Sequence, residues 1–228
     1  MLGFTIVVPA LNEEAWLGDM VRALLPVLRS TGNPFEIIIV NDGSIDQTGQ
    51  IADQLATENT EIRVVHYARR QGLGFSFRTG ISEAKFDYLI LLPGDGAYDA
   101  QGLVTLIQAA GSVDLVVGYR TNQLAAREPA RVLVSRIFQW SMMLVSGQRL
   151  RDFHAACVYP VEKLRKLTII SANYTYQVET LTKLLRQKVT FVERPVLLNP
   201  NKLGGSRAVR LSTLLDFAKI VLHLWGWR

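Results

Sequence analysis

The chain has 228 residues, enough for one well-buried domain with at most a small appendage. Its hydrophobic content of 49% and mean hydropathy of +0.16 are high for a freely soluble enzyme and favour contact with a membrane. Lys and Arg outnumber Asp and Glu by 25 to 20, a net charge of +5 that suits an anionic ligand, an anionic lipid surface or nucleic acid without choosing among them; the single cysteine, Cys157, excludes an intrachain disulfide and a multi-cysteine zinc site and fits a reducing compartment.

Residues 1–10 lack a basic stretch followed by a long apolar core, so they read as a strand and not as a signal peptide. No stretch reaches the roughly 18 uninterrupted apolar residues of a spanning helix, so the chain is expected not to cross a membrane. Phe4 to Val8 is a buried-strand pattern ending in Pro9-Ala10-Leu11-Asn12-Glu13-Glu14. A helix follows, with Trp16, Leu17, Met20, Val21, Leu24 and Leu25 at helical spacing, Asn12 as its expected cap and Glu13 and Glu14 in its first turn. Ile37 to Val40 is β-branched throughout and apolar on both faces, which describes a buried parallel strand. It gives way to Asn41-Asp42-Gly43-Ser44, which places Asp42 and Ser44 at the carboxyl end of the strand, where ligands bind in open α/β sheets. The other reading of this turn is an ordinary β-to-α connection in which Asp42 or Ser44 caps the next helix.

That helix runs from about Asp46 to Glu58, and Ile62 to His66 is a third strand. Arg69-Arg70-Gln71-Gly72-Leu73-Gly74 then precedes a helix reaching Ser82 to Lys85; it is either a phosphate-holding loop or a plain connection. Tyr88 to Leu92 is a fourth strand leading into Pro93-Gly94-Asp95-Gly96-Ala97-Tyr98-Asp99. Gln101 to Ala110 is a helix, and Asp114 to Val117 a fifth strand ending in Gly118-Tyr119-Arg120. The alternation argues for an α/β fold with a mostly parallel sheet covered on both faces.

Polar strand ends that converge on one rim form a more specific pattern than any one of them. Val8 to Glu14, Val40 to Thr48, Gly72-x-Gly74, Asp95 and Val117-Gly118-Tyr119-Arg120 together resemble the family 2 glycosyltransferases of the GT-A fold. Among them they resemble the polyprenol-phosphate sugar transferases typified by dolichol-phosphate mannose synthase. Arg131-x-x-x-Ser135, Asp152, Glu179, Arg194-Pro195 and Gly204-Gly205-Ser206-Arg207 fall where that subgroup has its own motifs. The resemblance implies a Rossmann-like GT-A domain over residues 1–210. It also implies a nucleotide-sugar donor held by Pro9, Ala10, Asn12, Glu13, Asp42, Ser44, Gly72 and Gly74. Asp95 would lie near the diphosphate and a Mg²⁺ or Mn²⁺ ion. The family usually carries Asp-x-Asp there with a Gln two residues on, whereas this chain offers Pro93-Gly94-Asp95 and then Ala97, so one of three expected oxygen ligands remains. A single Asp suffices for Mg²⁺ when substrate phosphates and waters complete the shell. Asp99, Asp152 and His154 are the other candidates.

Gln123 to Ala130 reads as a connection lying over the site, and Arg131 to Leu144 as a helix with Arg131 and Ser135 on one face. Arg120, Arg131 and Ser135 resemble the set that holds the acceptor lipid's phosphate, with Ser206 and Arg207 expected beside them. The alternative is that Arg131 belongs to a solvated helix face. Residues 151–157 keep the family's Asp as Asp152 and replace its Ser-Gly pair, which suggests a shifted acceptor specificity. Tyr176 to Leu185 is a helix with Glu179 toward the sheet, and Val189 to Val192 is a strand. Relatives place an Arg at the position of Asn201; Lys202 is the nearest substitute, in a glycine-containing loop expected to close over the donor. Residues 211–228 are amphipathic, either interfacial through Trp225, Trp227 and Arg228 or packed on the domain.

The function implied is inverting transfer of a hexose from a nucleotide-sugar to a polyprenyl phosphate, with peripheral contact on the cytoplasmic side of a membrane. Two rivals stand: a family 2 enzyme acting on a sugar hydroxyl with Asp152 as base, and a catalytically silent nucleotide-sugar-binding protein. No nucleic-acid partner is expected, because the basic residues are spread among loops without a recognition helix. Donor base, sugar and oligomeric state stay open.

Overall fold

The computed structural model describes residues 1–121, 139–199, 219, 220 and 222–224. Strands β1 (Phe4–Ala10), β2 (Phe35–Asp42), β3 (Ile62–Tyr67), β4 (Tyr88–Leu91), β5 (Leu115–Arg120), β6 (Cys157–Pro160) and β7 (Phe191–Val196) form one sheet in the order β3-β2-β1-β4-β6-β5-β7. All adjacent pairs are parallel except those made by β6, which is antiparallel to both β4 and β5. The helices are α1 (Leu17–Ser30), α2 (Thr48–Glu58), α3 (Leu73–Glu83), α4 (Ala100–Ala109), α5 with residues 139–146 described, α6 (Val161–Arg165) and α7 (Tyr176–Arg186).

The mostly parallel α/β sheet expected from the strand patterns is therefore present, and residue alternation sorts its two faces. Ile6, Val8, Ile37, Ile39, Ile90, Val116 and Val158 pack with Leu17, Val21 and Leu24 of α1, Leu55 of α2 and Leu106 of α4. Val7, Ile38, Val40, Leu89, Leu91, Val117 and Tyr159 pack with Phe77 of α3, Met142 of α5 and Leu181 of α7. Both faces are dry, which is why β2 reads as a continuous apolar run. From β1 the chain passes through α1 to β2 on one side, and from β3 through α3 to β4 on the other. The order thus reverses at β1, and the crevice of such a switch point opens at the carboxyl ends of β1 and β4.

The structure departs from the sequence reading in several places, and the strand expected over Val189 to Val192 is β7, shifted to Phe191–Val196. β1 continues through Pro9 to Ala10, because its parallel pairing with β2 runs on to Pro9 opposite Val40 and Ala10 opposite Asn41, and Gly94 N–H donates to the Pro9 carbonyl at 3.0 Å on the other side. Asn12 does not cap α1: the helix begins at Leu17 without a side-chain cap, and Asn12 instead adopts φ +56° and accepts the Ile45 N–H at 3.0 Å. β6 and α6 have no counterpart in the sequence pattern, being four and five residues long. In the described part of residues 211–228, Ile220 and Leu224 are buried in the core, Leu222 is exposed, and Arg186 donates to the Leu224 carbonyl.

α7 is fixed by a buried ion pair. Glu179 accepts Lys183 Nζ at 2.5 Å and the Ile170 and Ser171 N–H groups at 3.1 and 2.9 Å, while Lys183 also donates to the Thr168 carbonyl at 2.7 Å. Both side chains are at most 2% exposed. Lys183→Met leaves a carboxylate uncompensated in the core and is expected to lower stability by about 3–5 kcal/mol, read as a drop in the urea midpoint.

Candidate active site

The β1–α1 and β2–α2 connections are laced together at the rim. Asn12 N–H donates to Ser44 Oγ at 3.0 Å, Glu13 N–H to Thr48 Oγ1 at 2.8 Å and Gln47 N–H to Glu14 at 3.0 Å. Asn41 takes the Ser44 N–H on its carbonyl at 3.2 Å and points its amide at His66 Nδ1 at 3.1 Å. That polarity makes Nδ1 an acceptor and leaves Nε2–H for Asp53, 2.9 Å away. Asn12, Glu13 and Ser44 thus meet just beyond Pro9 and Ala10 at the end of β1, and the Asn12 N–H and Ser44 hydroxyl are spent on each other.

Asp42 is 4% exposed, and its two oxygens accept the Gln71 and Gly72 N–H groups at 2.6 and 2.8 Å. The carboxylate therefore fastens the β3–α3 loop to the end of β2. Gly43 allows this contact: it sits at φ +76°, and a Cβ there would lie 2.6 Å from the Arg69–Arg70 peptide. The phosphate cradle anticipated at Gly72 and Gly74 is not built. Gly72 N–H is taken by Asp42 and Gly74 N–H by the Ala172 carbonyl at 2.8 Å, so these amides at the start of α3 are committed within the fold. A Cβ on Gly74 would collide with the Ser171 carbonyl; the glycine permits close backbone approach, which leaves the same sequence signal as anion binding.

Asp95 follows β4 in a turn that runs beside β1. Its Oδ1 accepts the Ala97 N–H at 3.0 Å. The turn is pinned from the far side of the sheet: Asn199 N–H donates to Ala97, Asp99 N–H to Leu197, and Tyr98 hydroxyl to the His154 carbonyl at 3.3 Å. Burial pushes the Tyr98 phenol up, so it stays a neutral donor. Among the described residues no three His, Cys, Asp or Glu side chains form a metal cluster. Asp99 heads α4 and lines a pocket of about 330 Å³ against Trp16 and Met20, and Asp152 is engaged elsewhere. The donor set is one half-buried carboxylate, which fits a divalent ion held chiefly by substrate phosphate oxygens and water. The pocket is mainly apolar and lies between α1 and α4, beside the rim acids without containing them.

Arg120, at the end of β5, forms a two-point pair with Asp152, Nε to Oδ2 at 2.6 Å and Nη2 to Oδ1 at 2.9 Å. The side chains are 17% and 9% exposed. Arg120 N–H and His154 N–H also reach the carboxylate, at 3.3 and 2.9 Å. Burial would raise the Asp152 carboxyl, but the Arg120 hydrogen bonds and charge, with the His154 amide, hold it below the ordinary carboxylate value. Cys157 is inert here, its thiol pushed up to about 11 by burial.

With strands about 4.8 Å apart, the carboxyl ends of β2 and β4 flank that of β1 about 10 Å from each other, and the end of β5 lies a similar step beyond. Asp42, the turn carrying Asp95 and the Arg120–Asp152 pair thus follow strand ends along one edge of the sheet. Arg131, Ser135, Lys202, Ser206 and Arg207, with the connection over residues 123–130 and most of the loop over 199–207, lie outside the described residues. Three rim residues were given no role by the sequence reading: Tyr98, which joins the Asp95 turn to His154; Asn41, which orients His66; and Arg151, stacked on Tyr119.

Two outcomes follow from these contacts. Asp42→Asn keeps the shape but turns an amide N–H₂ toward a backbone N–H, so a loss of about 1–3 kcal/mol and faster hydrogen exchange at Gln71 and Gly72 are expected. The folded Asp152 carboxyl sits below its free value of 3.8, so its stabilising contribution is complete above that pH and disappears as pH falls through the lower folded value. An acid titration of Asp152→Asn should lack this part of the unfolding transition.

The family model for glycosyl transferase family 2 matches residues 5–172. The glycosyltransferase AglD of Haloferax volcanii is 28% identical over 97% of this chain, which spans only 36% of AglD's length. An undecaprenyl-phosphate mannosyltransferase of Micrococcus luteus is 26% identical over 88% of this chain and 85% of its own. The crystal structure of glucosyl-3-phosphoglycerate synthase from Mycobacterium tuberculosis with UDP superposes with a TM-score of 0.72 at 18% identity, covering 99% of this chain and 80% of that one; the same enzyme has been crystallised with Mn²⁺, UDP and glucosyl-3-phosphoglycerate. The fold is GT-A, and the chain belongs to glycosyl transferase family 2.

Proposed function

We propose that the protein transfers a hexose, with inversion, from a nucleotide-sugar to a polyprenyl phosphate at a membrane surface. One observation carries the choice of acceptor: Asp152, the carboxylate at the acceptor end of the rim, is held ionised by Arg120 and is a correspondingly weak base. A sugar hydroxyl needs its proton removed during attack; a phosphate monoester is already an anionic nucleophile. The acceptor oxygen would attack the anomeric carbon while the bond to the diphosphate breaks and the nucleoside diphosphate leaves with the electron pair. In-line displacement of this kind inverts the anomeric centre.

The donor's base end would lie over β2 and β1, shaped by Asp42 through the loop it fastens, with Pro9, Ala10 and Glu13 beneath it. Its diphosphate would lie over Asp95. A divalent ion, Mg²⁺ or Mn²⁺, when bound there neutralises charge on the leaving group. What this chain's own residues supply is alignment of two anions and fixed countercharge. Arg120, Arg131, Ser135, Ser206 and Arg207 are retained as the proposed acceptor side, and Lys202 as a proposed donor contact.

The similarity to an undecaprenyl-phosphate mannosyltransferase supports a lipid-linked acceptor. So does the surface: Trp140 and Leu144 on α5 are 70% and 80% exposed, Leu222 is 74% exposed, and Arg186 bridges the two segments through the carbonyls of Val145 and Leu224. No described helix is long and apolar enough to cross a membrane. Peripheral, interfacial placement on the cytoplasmic face is the proposal, with residues 1–210 as the catalytic domain and 211–228 contributing to the contact.

Radiolabelled GDP- and UDP-hexoses should be offered with a prenyl phosphate and with the matching prenyl alcohol. Transfer to the phosphate alone is expected, and Asp95→Ala should reduce it by a factor on the order of 10² or more. Equal transfer to the alcohol would reject the acceptor class; an unimpaired Asp95→Ala enzyme would reject the role of that carboxylate.

A further inference from the structure

The two arginines that flank Asp152 are in opposite electrostatic states. Arg120 is sunk beside the β5 end, and its charge is cancelled at close range by Asp152. Arg151 has a side chain 64% exposed, and its contact with Glu193 is loose, Nε to Oε2 at 3.9 Å. It is nonetheless held in place. Its guanidinium carbon lies 4.6 Å from the centre of the Tyr119 ring, and its own N–H donates to Glu193 Oε1 at 2.7 Å. The next residue, Asp152, is locked to β5. An arginine stacked on an aromatic ring is pre-oriented and keeps edge donors for an anion.

Gln139 donates to the carbonyls of Leu150 and Arg151, which sets Arg151 beside the start of the described part of α5. The next residue along that helix is Trp140, with Leu144 one turn farther on, both largely exposed. A fixed cation at the catalytic rim beside an exposed apolar helix face matches one ligand chemistry, a phosphate monoester on an apolar chain.

We propose that Arg151 is a specificity-determining residue that receives the phosphate monoester of the acceptor, with Tyr119 as the platform that orients it. This rests on the transfer reaction proposed above. Arg120 then serves to shape the rim through Asp152, and Arg151 supplies the exposed positive charge.

The test uses the full chain with farnesyl phosphate in detergent micelles as acceptor and inorganic phosphate as competitor. Arg151→Gln should raise the KM for farnesyl phosphate roughly 10- to 100-fold, the loss of one charge-assisted contact, with nucleotide Kd and Tm unchanged. Arg151→Lys should fall between, because it keeps charge and loses the stacked fork. Lys166→Gln, which removes an exposed charge just after α6, should match the wild type. If inorganic phosphate competes in the wild type and not in Arg151→Gln, the residue reads the phosphate group itself. If the KM shift occurs without such competition, it reads the lipid-borne headgroup. An unchanged KM, or parallel falls in Tm and nucleotide affinity, overturns the proposal. Calorimetric binding of farnesyl phosphate separates it from the catalytic reading. Wild-type binding that weakens in Arg151→Gln upholds the residue's role even when no sugar is transferred; equal binding, or none, rejects it.

Discussion

The Asp42 carboxylate is the constraint from which the β2 end of the rim follows. It accepts two consecutive backbone amides of the β3–α3 loop from a nearly dry position at the end of β2. A buried carboxylate is costly unless hydrogen-bonded, and here both oxygens are satisfied by groups with no rotamer freedom to lose. The same contact needs Gly43, since the two loops approach too closely for a side chain between them. Two connections that would otherwise be independent surface loops become one wall. The wall is braced from behind, where Gly74 meets Ala172 and the segment around Ser171 is held by Glu179 and Arg78. Rigid backing of this kind suits a site that works by alignment, because small displacements of reacting groups cost large factors in rate.

At the other end of the rim the design is electrostatic. β6 enters antiparallel between β4 and β5, so the residues just before it, Asp152 to Ala156, arrive at the same edge as the carboxyl ends of the parallel strands. A purely parallel order would have put that segment at the opposite edge. The inserted strand brings Asp152 to Arg120, and the Tyr98 bond to His154 then couples this corner to the turn carrying Asp95. The resulting pair is neutral overall and largely buried. Its worth lies less in net stability, since desolvation offsets most of the attraction, than in fixing where the β5 end and the loop before β6 stand.

The sequence made the first five strands and the four helices between them legible because each is apolar at its own period and separated by polar turns. Asp42, Asp95 and Arg120 were also legible as strand-end residues. What was not legible depends on partners distant in the chain. β6 is four residues long, and only its neighbours on both sides make it a strand. Asn12 has the composition of a cap, but Ser44 and Ile45 compete for its polar groups and take them. Gly72 and Gly74 show the ambiguity most plainly: a glycine that admits a phosphate and one that admits another backbone look alike until the neighbour is known, and here the neighbour is Ala172. Arg151 sat in a motif as the residue before Asp152, and nothing in the linear order links it to Tyr119 or Glu193.

Charge at the rim is distributed unevenly, and that unevenness bears on how two anions can meet there. The β2–β4 half presents one carboxylate already satisfied by amides and another, Asp95, beside which the proposed reaction would set the diphosphate. The β5 half carries a cancelled pair and an exposed, stacked arginine. In the proposed reaction an approaching phosphate would meet positive charge at Arg151 and polar but neutral ground at the Arg120–Asp152 pair. Long-range attraction at the surface is screened over about 8–10 Å at physiological salt, so only a cation at the rim itself can hold the anion against the repulsion of the diphosphate. With that cation on a segment tied to β5 through Asp152 and next to an exposed apolar helix face, the proposed membrane contact and the proposed phosphate contact would be set by one segment.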